Sequence, residues 1–369
     1  MGNVPFIDLQ HEWKEQEKEI QEAFSRVLKK GAFILGDEVR KLEEEVAAQC
    51  GATYGIGVGN GTDALVLHLY ALGIGPGDEV ITSPFTFFAT AEAIMQVGAV
   101  PVFADVRPDT FNLDAEDAAR RITPRTKAIL PVHLFGQMAD MTAIVQLADA
   151  HRLLVLEDAC QAIGAQWEGR GPGAVSQGAS FSFFPTKNLG TCGDGGMIVV
   201  NDRDMAERLR RLRVHGSRQK YHHDEIGWNS RLDEVHAAIL RVKLKRLNAW
   251  NEQRREIAAL YDSLLNDLPV TVPVVDARAL PVYHLYTIQA ERRDELQAHL
   301  NSKGISCGVY YPVPLYRQEA LRKLGYKEGE FPHTEDLVRS SLSLPMFPGM
   351  TSKQAETVAA QIRQFYEGS

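Results

Sequence analysis

Seven short apolar runs alternate with helical patterns over the first two-thirds of the chain, and this alternation limits the fold more than any other feature. The runs are Tyr54–Val58, Glu79–Thr82, Val100–Ala104, Ala128–Val132, Leu153–Leu156, Ala179–Ser182 and Gly196–Val200. Strands that are apolar throughout have both faces covered, and strands separated by helices pair in parallel. The pattern therefore predicts an α/β fold with a large central, mostly parallel sheet flanked by helices. A helix precedes the first run, with Val39, Leu42 and Val46 on one face, Asp37 placed to cap its start and Gly51 just past its end. A long amphipathic stretch from Leu232 to Leu265 leads out of this block. Beyond it, strands at Val282–Ile288 and Ser306–Tyr310 and helices near Arg293–Lys303 and Lys353–Tyr366 predict a smaller C-terminal α+β unit. We place the division at residues 1–245 and 246–369, and find no repeats or low-complexity tracts.

A chain of 369 residues that is 44% apolar and 24% charged can bury a core in each unit. No run is long enough to cross a bilayer, and the first residues lack the pattern of a signal peptide, so a cytoplasmic protein is expected. A net charge of −8 argues against nucleic acid as a partner. Cys50, Cys160, Cys192 and Cys307 have no metal-ligand spacing and read as reduced core thiols, with no metal site expected.

Two segments carry chemistry. In Gly59-Asn60-Gly61-Thr62-Asp63-Ala64 a strand passes through a glycine turn into a helix, where backbone amides and the helix dipole form a site for phosphate. The segment also fits a dinucleotide fingerprint. That fingerprint expects an acid at the end of the next strand, whereas Asp78 and Glu79 stand at its beginning; a capped helix with no ligand is the other alternative. The second segment is Phe181-Ser182-Phe183-Phe184-Pro185-Thr186-Lys187, with Asp158 ending a strand before it. A lone lysine is usually a solvated charge and a strand-end carboxylate often a helix cap. Together they suit a lysine in Schiff-base linkage to pyridoxal phosphate and an aspartate that holds its ring nitrogen protonated.

Across nearly its whole length the chain resembles the DegT-type nucleotide-sugar aminotransferases, pyridoxal phosphate enzymes of the aspartate aminotransferase fold (fold type I). The resemblance rests on Ala32–Val39, Gly59–Ala64, Pro84–Thr90, Val132–Gly136, Glu157–Gln161, the Lys187 segment and Gly227–Asp233. It implies that Lys187 carries the cofactor and moves the proton, that Asp158 pairs with the ring nitrogen, and that Gln161 contacts the ring hydroxyl. Phe87 would stack on the ring. The amides of Thr62 and Asp63 with the Ser182 hydroxyl would hold the phosphate, joined by Asn229 from the neighbouring subunit of a homodimer. His133, His284, Tyr310 and Tyr311 match positions on the sugar side of the pocket, although each can equally be a bonded core residue.

Many members that aminate C4 of the sugar have histidine where this chain has Phe184; the sequence is closer to those that aminate a 3-keto sugar. The implied reaction moves an amino group from L-glutamate to a nucleotide-diphosphate keto sugar, giving an amino sugar for polysaccharides or glycosylated natural products. C4 amination, and a non-catalytic cofactor-binding regulator of the same fold, stay open. The basic run Arg211–His223 reads as a solvated loop or, through Arg213, Arg218, Lys220 and His222, as a contact to the diphosphate. Arg231 is a candidate partner for a sugar carboxylate.

Overall fold

The computed structural model describes residues 3–368. All seven apolar runs contribute strands, and they form one sheet in the order Tyr54–Val58, Gly196–Val200, Ala179–Ser182, Leu154–Asp158, Thr126–Leu130, Glu79–Thr82 and Val100–Phe103. The fourth strand is interrupted at Leu156: Leu154–Val155 pairs with Thr126–Leu130, Glu157–Asp158 pairs with Ala179–Ser182, and a Val132–Asp158 bridge joins the two halves. Gly196–Val200 alone runs antiparallel to both neighbours. Alternate residues of these strands feed different cores. Ile81, Ile129, Val155, Phe181, Met197 and Val199 face a cluster with Val39, Leu42 and Val46. Their neighbours Val80, Ala128, Leu130 and Leu156 pack with Leu65 and Leu69 on the other side. Burial on both faces is what makes the strands apolar throughout.

The predicted helix at the start is Asp37–Cys50, ended by Gly51 in the left-handed region at φ 70. Its cap differs from expectation: Gly36 is the N-cap and Asp37 does not cap. The carboxylate of Glu234, almost 200 residues away, does so instead, accepting from the amides of Gly36 (2.8 Å), Glu38 (3.1 Å) and Val39 (2.8 Å). A negative group at a helix N-terminus answers both the orphan amides and the dipole. A Cβ on Gly36 would lie 2.6 Å from Glu234 Oε2, so any other residue there would have to displace the capping carboxylate.

The long amphipathic stretch is two helices, Glu234–Leu244 and Leu247–Leu265, broken at Lys245 and Arg246. The C-terminal part is α+β, built on the antiparallel strands Val270–Thr271, Tyr286–Ala290 and Ser341–Leu344 with helices Arg293–Ser302 and Ser352–Glu367. Ser306–Tyr310 is not a strand; it reaches the sheet through a single Gly308–Ser343 bridge. Val4 pairs with Ile305 and belongs to the C-terminal core beside Tyr261, Ile288 and Leu342. No described helix is long and apolar enough to cross a membrane. Of the four thiols only Cys50 is buried, and Cys192 is exposed, so the core reading holds for one of them.

Candidate active site

The carboxyl ends of the central strands open into a cavity of about 810 Å³. This is where open α/β sheets place ligands. Nine of the sequence-derived candidates line it: Thr62, Phe87, Asp158, Gln161, Ser182, Lys187, His284, Tyr310 and Tyr311.

Lys187 sits on the loop between Ala179–Ser182 and Gly196–Val200, with its amide donating to Phe184 O at 2.9 Å. Burial lowers the pKa of its amine, against the opposing pull of Cys160 and Asp158. Asp158 ends its strand and is buried; its Oδ2 accepts from the Thr90 hydroxyl at 2.8 Å and its Oδ1 from the Cys160 amide at 3.2 Å. Thr90 escaped the sequence reading although it closes the segment that holds Phe87. Gln161 accepts from the Phe135 amide (2.7 Å) and donates to the Tyr311 hydroxyl (3.1 Å). Phe87 is 58% exposed, unusual for so large an apolar ring, and its exposed surface faces the cavity it lines.

The helix Gly61–Ala71 starts at the cavity wall, with Asn60, Gly61 and Thr62 all in the lining. A Cβ at Gly61 would stand 2.7 Å from Ser182 Cβ and 3.1 Å from Cys160 Sγ, so the absence of a side chain brings the helix start against Ser182. The Asp63 amide is engaged within the helix cap. It donates to the Asn60 side chain at 2.8 Å, and the Asp63 carboxylate accepts from the Ser230 hydroxyl at 2.5 Å. Asp63 is thus part of the cap, and Thr62 is the member of the predicted pair that reaches the cavity.

His133 takes the core side of the two readings that the sequence left open. It is fully buried beneath the cavity, with Nε2 2.6 Å from Glu157 Oε2 and Nδ1 accepting from the Ala139 amide at 3.2 Å. Because Nδ1 accepts, Nε2 carries the hydrogen and donates to Glu157, whose other oxygen accepts from the Gly173 amide at 2.9 Å. This bonded core pair backs the strand end that carries Asp158. Arg213 is also structural: it is buried against Glu43 and donates to Gly57 O at 2.8 Å. Its hydrophilic run is otherwise a surface hairpin, where Arg218 pairs with Asp224 at 3.2 Å and Lys220 stands over the Tyr221 ring. Arg218, Lys220, His222, Asn229 and Arg231 do not line this chain's cavity, and Asn229 is exposed.

His284 lines the cavity and is buried; burial, with the charges of Lys187 and Arg254, holds its pKa well below the ordinary histidine value. Beside it Asn188, also missed in the sequence reading, donates to Asn251 Oδ1 at 2.9 Å and to Val282 O at 2.8 Å. The arrangement joins a desolvated amine, a fixed carboxylate and a helix N-terminus in one cavity. It can hold an aromatic anion and move protons at its edge.

Comparison with known proteins agrees with this geometry. The chain is 52% identical over 99% of both chains to a "Pleiotropic regulatory protein" of Geobacillus stearothermophilus. It is 47% identical to a dTDP-3-amino-3,4,6-trideoxy-alpha-D-glucose transaminase of Streptomyces venezuelae, over 99% of this chain and 96% of the relative. The crystal structure of S. venezuelae DesV, in complex with a ketimine intermediate, superposes with a TM-score of 0.98 at 46% identity, covering 100% of this chain and 99% of that one. The model of the DegT/DnrJ/EryC1/StrS aminotransferase family matches residues 14–363, and the chain belongs to that family.

Proposed function

We propose that the cavity binds pyridoxal phosphate and that the enzyme transfers the amino group of L-glutamate to C3 of a nucleotide-linked keto sugar. The observation that carries this reading is the convergence of Lys187, Asp158 and the Gly61 helix start on one cavity. The residues fit the cofactor at three points. A phosphate suits the helix N-terminus, where Gly61 leaves room against the Ser182 hydroxyl. A cationic ring nitrogen suits a buried carboxylate that Thr90 and the Cys160 amide hold in place. A planar ring suits the exposed face of Phe87.

When bound, pyridoxal phosphate supplies an electron sink for the bond broken beside the amine nitrogen. The chain supplies the rest. Desolvation raises the unprotonated fraction of the Lys187 amine at neutral pH, which suits it to attack a carbonyl and to carry a proton between substrate carbon and cofactor. Asp158 would keep a positive charge on the ring nitrogen, and Gln161, held by the Phe135 amide and Tyr311, would meet the ring hydroxyl.

C3 is favoured by Phe184, which lines the cavity where relatives acting at C4 are expected to have histidine, and by the likeness to a transaminase named for a 3-amino sugar. A homodimer is part of the proposal. Ile34 is 51% and Ile226 82% exposed on the isolated chain, and Asn229 does not line this chain's cavity. We assign Asn229 to the phosphate in the partner's cavity, and Arg218, Lys220, His222 and Arg231 to the sugar nucleotide bound there. The test is an absorption spectrum before and after L-glutamate. Loss of the yellow lysine-linked band supports the first half-reaction; no band after adding pyridoxal phosphate overturns the reading.

A further inference from the structure

We propose that Asn188, the residue after Lys187, is a positioning residue that locks His284 in its Nδ1–H tautomer, so that this wall of the cavity offers a hydrogen-bond acceptor and no donor. The argument begins at a backbone carbonyl. Val282 O can only accept, so the Asn188 side-chain atom 2.8 Å from it is Nδ2. The second hydrogen of that nitrogen goes to Asn251 Oδ1 at 2.9 Å. Asn251 is oriented in turn by another carbonyl, its Nδ2 donating to Ile163 O at 3.2 Å. Both amides are therefore fixed by groups whose roles are unambiguous. The remaining atom, Asn188 Oδ1, can only accept, and it lies 3.3 Å from His284 Nδ1. The ring must present N–H there.

The imidazole is neutral, since burial above all, and the nearby Arg254 guanidinium, oppose a second proton. Nε2 is then an unprotonated acceptor. The segment carrying His284 is built to hold it. Arg255 donates to Pro281 O at 3.1 Å, Asn188 to Val282 O, and the buried Arg254 to Tyr283 O at 3.1 Å and Met346 O at 3.2 Å. Tyr283 takes φ 42, a left-handed conformation that a bulky residue keeps only when its surroundings over-determine it.

The consequence rests on the function proposed above. One cavity must accept two substrates in turn. Glutamate brings carboxylates, whose oxygens are acceptors only, and a single donor, the α-ammonium, which is the group that must react beside Lys187; a sugar brings several hydroxyls, which can donate to Nε2. This wall therefore belongs to the sugar, and it favours a hydroxyl over the carboxylate of a uronate. Specificity of this kind comes from opposing lone pairs as much as from the bond gained.

The test is 15N NMR of histidine-labelled holoenzyme at neutral pH, with the His284 signals identified by their loss in His284→Leu. The expected result is an Nδ1–H tautomer in the wild type and a mixed or Nε2–H population in Asn188→Ala. An Nε2–H or doubly protonated His284 in the wild type, or an unchanged tautomer in Asn188→Ala, overturns the proposal. Should Asn188→Ala fail to fold, the wild-type spectrum still decides, and Asn251→Leu loosens the same chain without touching the cavity. In steady state, Asn188→Ala should raise KM for the keto-sugar nucleotide about fivefold to tenfold more than KM for L-glutamate, the cost of one neutral hydrogen bond. Equal changes for both refute the sugar assignment. Failure of the cofactor reading shows separately, as absence of the yellow band, and leaves the tautomer measurement standing.

Discussion

Replacing Gly61 by alanine tests the phosphate cradle with a single methyl group. Gly61 opens the helix Gly61–Ala71, and its backbone is not among the left-handed glycines, so alanine can adopt its conformation. The added Cβ would meet Ser182 Cβ at 2.7 Å, Cys160 Sγ at 3.1 Å and Ser182 Oγ at 3.2 Å, too close for carbon contacts, so the helix start and Ser182 must separate. Overpacking of this kind costs about 1–3 kcal/mol, and the helical preference of alanine over glycine returns about 0.5–1 kcal/mol. Net loss of stability should therefore be about 0–2.5 kcal/mol. The larger effect falls on the ligand. A hydroxyl pushed out of reach of a phosphate forfeits a charged hydrogen bond worth about 1.5–3 kcal/mol, which is about a tenfold to hundredfold weaker affinity. The assay is a titration of apoprotein with pyridoxal phosphate, read by absorbance and paired with Tm. Gly75→Ala serves as control, since a Cβ there meets only an ordinary contact at 3.6 Å. Cofactor affinity within twofold of the wild type in Gly61→Ala would refute the placement of the phosphate.

Three further outcomes are expected. Lys187→Ala should fold with an unchanged circular dichroism spectrum and lose the yellow band and turnover; turnover above a hundredth of the wild type contradicts the assignment of its amine. Asp158→Asn keeps an oxygen for Thr90 and loses the negative charge, so kcat should fall about 10²–10³-fold with little change in Tm. His68 is buried under the sheet, and burial lowers its pKa from 6.5 to about 4. The folded state thus binds this proton more weakly than the unfolded one, so the stability it supports is full above pH 6.5 and is lost as pH falls toward 4. Between pH 6.5 and 5 the wild type should lose about 2 kcal/mol more than His68→Leu, measured by urea unfolding; parallel losses would show that His68 is not the group titrating.

The strands of the central sheet were legible because each is buried on both faces, which leaves an apolar run bounded by helices. Direction was not: nothing in Gly196–Val200 says that it runs antiparallel to both neighbours. The strand Ser341-Leu342-Ser343-Leu344 was invisible for a different reason. Its serines look like a surface face, yet both are buried, and Ser343 satisfies its hydroxyl against Thr287 across the sheet at 2.8 Å. In the cavity, Lys187 and Asp158 could be found because their chemistry demands them. Thr90, Asn188 and Arg254 could not, because each acts through a partner far along the chain. His133 shows the converse: a histidine next to the right strand that faces a buried carboxylate instead of the cavity. Asp63 shows the limit of a motif, since the capping of its amide by Asn60 is a local contest between ligand and side chain.

The carboxylate of Glu234 ties together two stretches of surface. Its three amide partners fix the loop that exposes Phe33, Ile34 and Leu35, and Glu234 itself opens the helix that follows Asn229 and Arg231. The apolar residues that a second subunit would cover and the polar residues that would reach into its cavity are thus parts of one rigid unit. Under the proposed dimer, subunit association and cofactor occupancy become a single linked equilibrium. Each would strengthen the other by mass action, and dilution would release cofactor as well as separate chains.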